Sequence, residues 1–132
     1  MRVSVVYLLF FNLATSSADV VRVKLTKIDS LIEAVIYVES RGDSMAYNKS
    51  EDAVGVLQIR PIMVREVNRL LGFDKYTLKD RWSVSKSKEM FNIVRLNTTD
   101  ATNEKVARRW NGGSNGHKKK STLKYWIKVN EI

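Results

Sequence analysis

Apolar residues are spaced differently in successive parts of the chain, and each change of spacing marks an element. Residues 1–18 carry Arg2, a nearly unbroken apolar run over Val3–Leu13, and the small residues Ser16-Ser17-Ala18. That layout predicts a secretory signal peptide, with Asp19 as the first mature residue. The run is short of the roughly 20 residues a spanning helix needs, so an uncleaved anchor is the lesser alternative. Residues 19–27 form a short lead, in which 19–26 alternate apolar and charged positions and read as a short strand or tether. From there Ile28, Leu31, Ile32 and Val35 recur at helical spacing. They predict a first helix starting near Lys27 or Ile28, capped by Thr26 or Asp29, and running to Ser40. Glu39 lies four residues past Val35, at the end of that apolar stripe.

Arg41 to Ser44 reads as a turn, Met45 to Asp52 as a polar loop, and Ala53 to Ile59 as an extended segment. Pro61 suits the first position of a second helix, where its missing N–H is not needed. Ile62, Val64, Val67, Leu70 and Leu71 give that helix a buried side, and Gly72 suits a left-handed cap. A third helix follows Asp80 or Ser83, with Val84, Met90, Phe91, Val94 and Leu96 as apolar positions. A fourth spans Ala101 to Trp110 on Val106, Ala107 and Trp110. Residues 111–116 form a loop. A last helix begins at Ser121 or Thr122 and buries Leu123, Trp126 and Ile127, with Trp82 also in the core. The expected fold class is all-α, about five helices with a small extended segment near residues 53–59, in one domain over 28–132.

Composition narrows the chemistry. At 132 residues the chain suits one small domain. It contains no cysteine, which removes disulfides, thiolate metal sites and a lipid anchor after the leader. His117 is the only histidine, too few for a histidine-based metal site, and without cysteine the Cys-His triad and zinc–thiolate readings fail as well. The formal charge of +9 favours polyanionic partners. Lys118-Lys119-Lys120 is a solvated loop, or a grip for anionic wall polymer or peptide-stem carboxylates. A carboxyl held against apolar surface, as Glu39 is expected to be, has a raised pKa and suits general acid work. The plain reading of the same residue is a last-turn glutamate facing solvent.

Glu39-Ser40, followed by Gly55-Val56-Leu57-Gln58-Ile59-Arg60-Pro61 with the glycine sixteen residues after the glutamate, resembles the lytic transglycosylase family of the lysozyme-like superfamily. Trp110-Asn111 resembles the tyrosine–asparagine pair that lines the family's sugar groove. Tyr125 falls where the family has a tyrosine hydrogen-bonding near the catalytic carboxyl. The resemblance covers about residues 28–129 and implies a lysozyme-like fold. It implies Glu39 as the sole acid/base cutting the bond between N-acetylmuramic acid and N-acetylglucosamine, leaving 1,6-anhydromuramoyl ends. It also implies that Ser40, Gln58, Trp110, Asn111 and Tyr125 bind or orient substrate, with no cofactor or metal. Ser40 is equally well read as a helix-end cap, and Trp110 as a core residue.

One departure and two other classes of protein leave alternatives open. Asp52 stands where the family often has glycine, and as a second carboxylate it would favour lysozyme-type hydrolysis, with Glu51 and Asp43 behind it. A silent glycan-binding module of a secretion, conjugation or virion assembly is the reading from another class. A basic nucleic-acid binder is a third, and the export signal counts against it. The expected setting is the periplasm or cell envelope, the expected partner peptidoglycan glycan strands, and the expected state a monomer.

Overall fold

The computed structural model describes the backbone of residues 16–132 and the side chains of 16–18 and 30–132. The leader expected over 1–18 therefore falls almost wholly outside the described residues. Helix α1 spans Ser17–Ser40, strands β1 and β2 span Tyr47–Asn48 and Ala53–Val54, and helices α2 to α5 span Pro61–Leu71, Val84–Leu96, Asn103–Gly112 and Ser121–Asn130. Short 3₁₀ turns cover Leu78–Trp82 and Gly116–Lys118. The fold is all-α with one small antiparallel ribbon, in which Tyr47 pairs with Val54 and Asn48 with Ala53. Part of the expected 45–52 loop is thus strand. Among the described residues, no helix is long and apolar enough to cross a membrane.

Helix α1 begins about ten residues earlier than its apolar stripe predicts. No glycine or proline occurs between Ser17 and Ser40. Extending an existing helix costs far less than nucleating one, so the 19–27 lead is helical rather than a strand or tether. Local punctuation sets α2 instead. Pro61 opens it, and Gly72 closes it at φ +82°, its N–H donating to Asn68 O at 2.9 Å.

The core lies between α1, the 56–59 turn and the inner faces of α2 to α5. Leu31, Ile32, Val35 and Ile36 of α1 meet Val56, Leu57, Val67, Met90, Phe91, Ala107 and Val129 there. Helix α3 buries Ser87, Met90, Phe91 and Val94, a run at helical spacing, while Val84 and Leu96 at its ends are exposed. Helix α5 turns inward through Thr122, Tyr125, Trp126 and Val129. That phase leaves Leu123 and Ile127, expected in the core, on the outside. Ile62 of α2 is likewise outside, 63 % exposed.

The expectation for Trp82 also fails. Arg81 occupies the interior of the 3₁₀ turn, and Trp82 is 40 % exposed, its ring 6.3 Å from that of Tyr47. Arg81 is held inside because its guanidinium has carbonyl acceptors: Leu78 O at 2.9 Å, Asp52 O at 2.7 Å and Ile59 O at 3.2 Å. A buried cation with that many acceptors pins the 52–59 turn to the helical body.

Gly55 fixes the other side of this turn. It lies at φ +77°, and a Cβ there would sit 2.3 Å from Arg81 O. Only glycine combines the left-handed backbone with so close an approach. Gly55→Ala is expected to lower the unfolding free energy by about 2–4 kcal/mol, read from urea denaturation. An unchanged midpoint would contradict the role given to this contact.

Candidate active site

Glu39 occupies the last turn of α1, four residues after the fully buried Val35. Its carboxyl is half-buried and accepts a hydrogen bond from Tyr125 Oη on Oε1 at 2.7 Å. Tyr125 comes from α5, 86 positions along the chain, so the pair exists only in the folded protein. Burial is the main influence on the carboxyl and pushes its pKa up to about 7. The Tyr125 hydroxyl and the Arg60 guanidinium pull it back toward the usual carboxylate range, while Glu51 pushes it further up. Burial, followed by the charge of Glu39, holds Tyr125 itself well above the ordinary tyrosine value. Near neutral pH, Glu39 is therefore poised between acid and conjugate base, which suits it to give up a proton and take one back.

Glu39 opens into a groove of about 570 Å³ between the 48–60 segment and α2 on one side and the 110–122 segment on the other. Gln58, Trp110 and Asn111 line it, as does Asn48 of β1. Gln58 sits at φ +46°, a costly backbone for a residue with a Cβ. Its Nε2 donates to Gly55 O at 3.0 Å and Ala46 O at 3.2 Å, which holds it there. Both partners are carbonyls, so the amide nitrogen must face the turn, and the amide oxygen is left for a ligand donor. Asn111 contributes its backbone carbonyl to the wall, where it accepts from Arg60 at 2.9 Å.

The expected roles of three other residues change. Ser40 is not part of the groove. Its single hydroxyl proton goes to Val56 O at 2.8 Å, in preference to Ile36 O at 3.3 Å, and its oxygen accepts from Gly42 N at 3.2 Å. It fastens the end of α1 to the 55–58 turn, the cap reading of this residue. Trp110 is only 4 % exposed and packs on Phe91 with ring centroids 5.1 Å apart. It forms part of the groove floor and offers no free face on which a pyranose could stack.

Asp52 is turned away from the groove. Its backbone carbonyl accepts from Arg81 and its carboxylate lies 3.5 Å from the same guanidinium. The neighbouring Glu51 lines the groove instead, and no ion pair to it occurs among the described residues. Nothing in the local sequence distinguishes these two adjacent acids. The side chain that decides, Arg81, is 29 residues away.

Sequence reasoning gave no role to Arg60 or Glu66, which also line the groove. Arg60 lies between Ile59 and Pro61 in the Gly55–Pro61 segment, and that place is the one local signal for it. Glu66 carries a bidentate pair to Arg69 at 2.8 Å and accepts from Ser114 Oγ at 3.2 Å, with Arg109 at 3.5 Å. The Arg69 hydrogen bond is the main cause holding it below the usual carboxylate range. Glu66 thus stays ionised and ties α2 to the 112–116 loop. Among the described residues, no group of His, Asp or Glu converges to hold a metal ion. No family model, curated protein or solved structure matches the chain.

The buried Glu39 carboxyl links stability to pH. Its folded pKa, about 7, exceeds the ordinary 4.5, so the folded state binds the proton more tightly. The associated stability is fully present below pH 4.5 and is lost as pH rises through about 7. Glu39→Gln, which keeps an acceptor for Tyr125, is expected to be more stable than the wild type above pH 7, by on the order of 3 kcal/mol. The gap should close toward pH 4. Thermal melts across this range check it, and a pH-independent difference would contradict the burial account.

Proposed function

We propose that the protein is a peptidoglycan lytic transglycosylase, exported to the cell envelope, with Glu39 as its single acid/base. The observation that carries this reading is the Glu39–Tyr125 pair, whose carboxyl opens into a polar-lined groove while the tyrosine supports it from behind. The carboxyl there is neutral often enough near pH 7 to donate a proton, and its conjugate base has a hydroxyl donor waiting. The resemblance of Glu39-Ser40 and Gly55–Pro61 to the lytic transglycosylases supports the choice of substrate and product.

In the proposed reaction a glycan strand lies along the groove with a muramoyl–glucosaminyl bond over Glu39. Glu39 gives its proton to the glycosidic oxygen as the bond from that oxygen to C1 breaks. The acetamido oxygen of the muramoyl unit closes on C1 and takes up the positive charge. The Glu39 carboxylate, held by Tyr125, then removes the proton from the C6 hydroxyl. O6 displaces the acetamido oxygen at C1, which closes the 1,6-anhydro ring and leaves Glu39 protonated again. No water is consumed. Gln58 and Asn48 are placed to hydrogen-bond hydroxyl or acetamido groups, and Arg60 steadies the carboxylate formed between the two proton transfers.

One observation favours a second reading, lysozyme-type hydrolysis. Glu51 lines the same groove close enough to influence Glu39 and could act as a base for water. The chemical outcome separates the two. Mass spectrometry of muropeptides released from purified peptidoglycan is expected to find anhydromuramoyl ends, reduced about 10²–10⁴-fold in Glu39→Gln. Glu51→Gln is expected to retain activity within a few-fold. Reducing muramoyl ends, together with a large loss in Glu51→Gln, would replace transglycosylation by hydrolysis.

A further inference from the structure

The positive charge of the chain is concentrated in one place. Of its 23 Lys and Arg, eight fall between residues 105 and 130, a stretch without Asp or Glu, while the other 15 nearly balance the 14 acids. The fold brings this stretch to one wall of the groove, where α4, the 116–118 turn and α5 pack together. Arg108 joins them by donating to Thr122 Oγ1 at 2.9 Å and Lys119 O at 3.0 Å. Burial and then the nearby Lys105, Lys118, Arg108 and Arg109 cations depress the His117 imidazole. Arg108 and Arg109 are answered by Glu104 and Glu66. Lys118, Lys120, Lys124 and Lys128 are exposed and form no ion pair among the described residues.

The arrangement on α5 has a direction. Ser121 lines the groove, and Lys124 and Lys128 follow it three and seven residues on, on the same helix face. At about 1.5 Å per residue, the stripe runs roughly 10 Å along α5 from Ser121 at the groove wall. That is the length of about three extended peptide residues. A stem peptide leaving a muramoyl unit in the groove presents a few carboxylates over such a distance. Duplex nucleic acid, with a charge about every 1.7 Å of its axis, presents a far denser and longer array than this stripe.

We propose that Lys124 and Lys128, continuing from Ser121 at the groove, form a docking rail for the peptide stems of the bound glycan strand, pairing with stem carboxylates. The inference rests on the glycan reading of the groove and adds to it that stem-bearing strands are the preferred substrate.

The test compares soluble glycan strands that bear peptide stems with the same strands stripped by an amidase, using Glu39→Gln to measure binding without turnover. Stem-bearing strands are expected to bind on the order of 2–10-fold more tightly. The preference should fade at about 0.5 M salt. Adding Lys124→Gln and Lys128→Gln, two exposed changes, should bring the ratio to about one. Equal binding of the two strands, or a ratio that survives both lysine changes, overturns the rail. So does tighter, lysine-dependent binding of duplex DNA. If the rail alone is wrong, the wild type still cleaves stripped strands. Failure to bind or cleave stripped or stem-bearing strands overturns the glycan reading and the rail with it.

Discussion

The site depends on a carboxyl held away from water at the place where the end of α1 meets α5. Most of the core contributes to that placement. Val35 carries the apolar stripe up to Glu39, and the inward phase of α5 brings Tyr125 to it. Burial and hydrogen bonding act on Glu39 in opposite directions. Burial pushes the carboxyl toward its protonated form, and the Tyr125 hydroxyl with the Arg60 cation pulls it toward the ionised one. Their balance leaves it near 7, where both proton transfers of an acid/base cycle are accessible.

The turn between β2 and α2 is the second constraint, and it is built around backbone rather than apolar contact. Gly55 lets the turn approach Arg81 O, Arg81 binds the turn's carbonyls, and Ser40 ties it to the end of α1. Gln58 pays for a left-handed backbone with two side-chain hydrogen bonds inside the same turn. Strain of this kind persists only where the surroundings hold it, and it is frequent at ligand sites. Across the groove, Glu66 and its arginines tie α2 to the 112–116 loop, so both walls are fixed by charge as well as by packing.

Much of this was legible in the sequence where the signal is local. Pro61 and Gly72 bounded α2 because each acts through its own backbone. The position of Glu39 followed from its spacing to Val35, and Tyr125 from its place in the motif set. What failed depended on distant partners. Arg81 took the interior and sent Trp82 outward because acceptors in the 52–59 turn were waiting for it. The same contact turned Asp52 away and left Glu51 in the groove. Trp110 was buried by Phe91, and Leu123 and Ile127 were exposed by a helix phase that Val129 and Thr122 settle. The early start of α1 is masked in the sequence because alternation over 19–26 imitates a strand.

The protonation of Glu39 can be observed directly. Carboxyl ¹³C NMR of protein labelled at glutamate, with the Glu39 signal identified by its loss in Glu39→Gln, would follow this one group through a pH titration. The account predicts a midpoint of about 7, well separated from the other glutamates. A midpoint near the ordinary 4.5 would mean that the carboxyl is solvated and ionised at neutral pH, and the proposed acid would be lost.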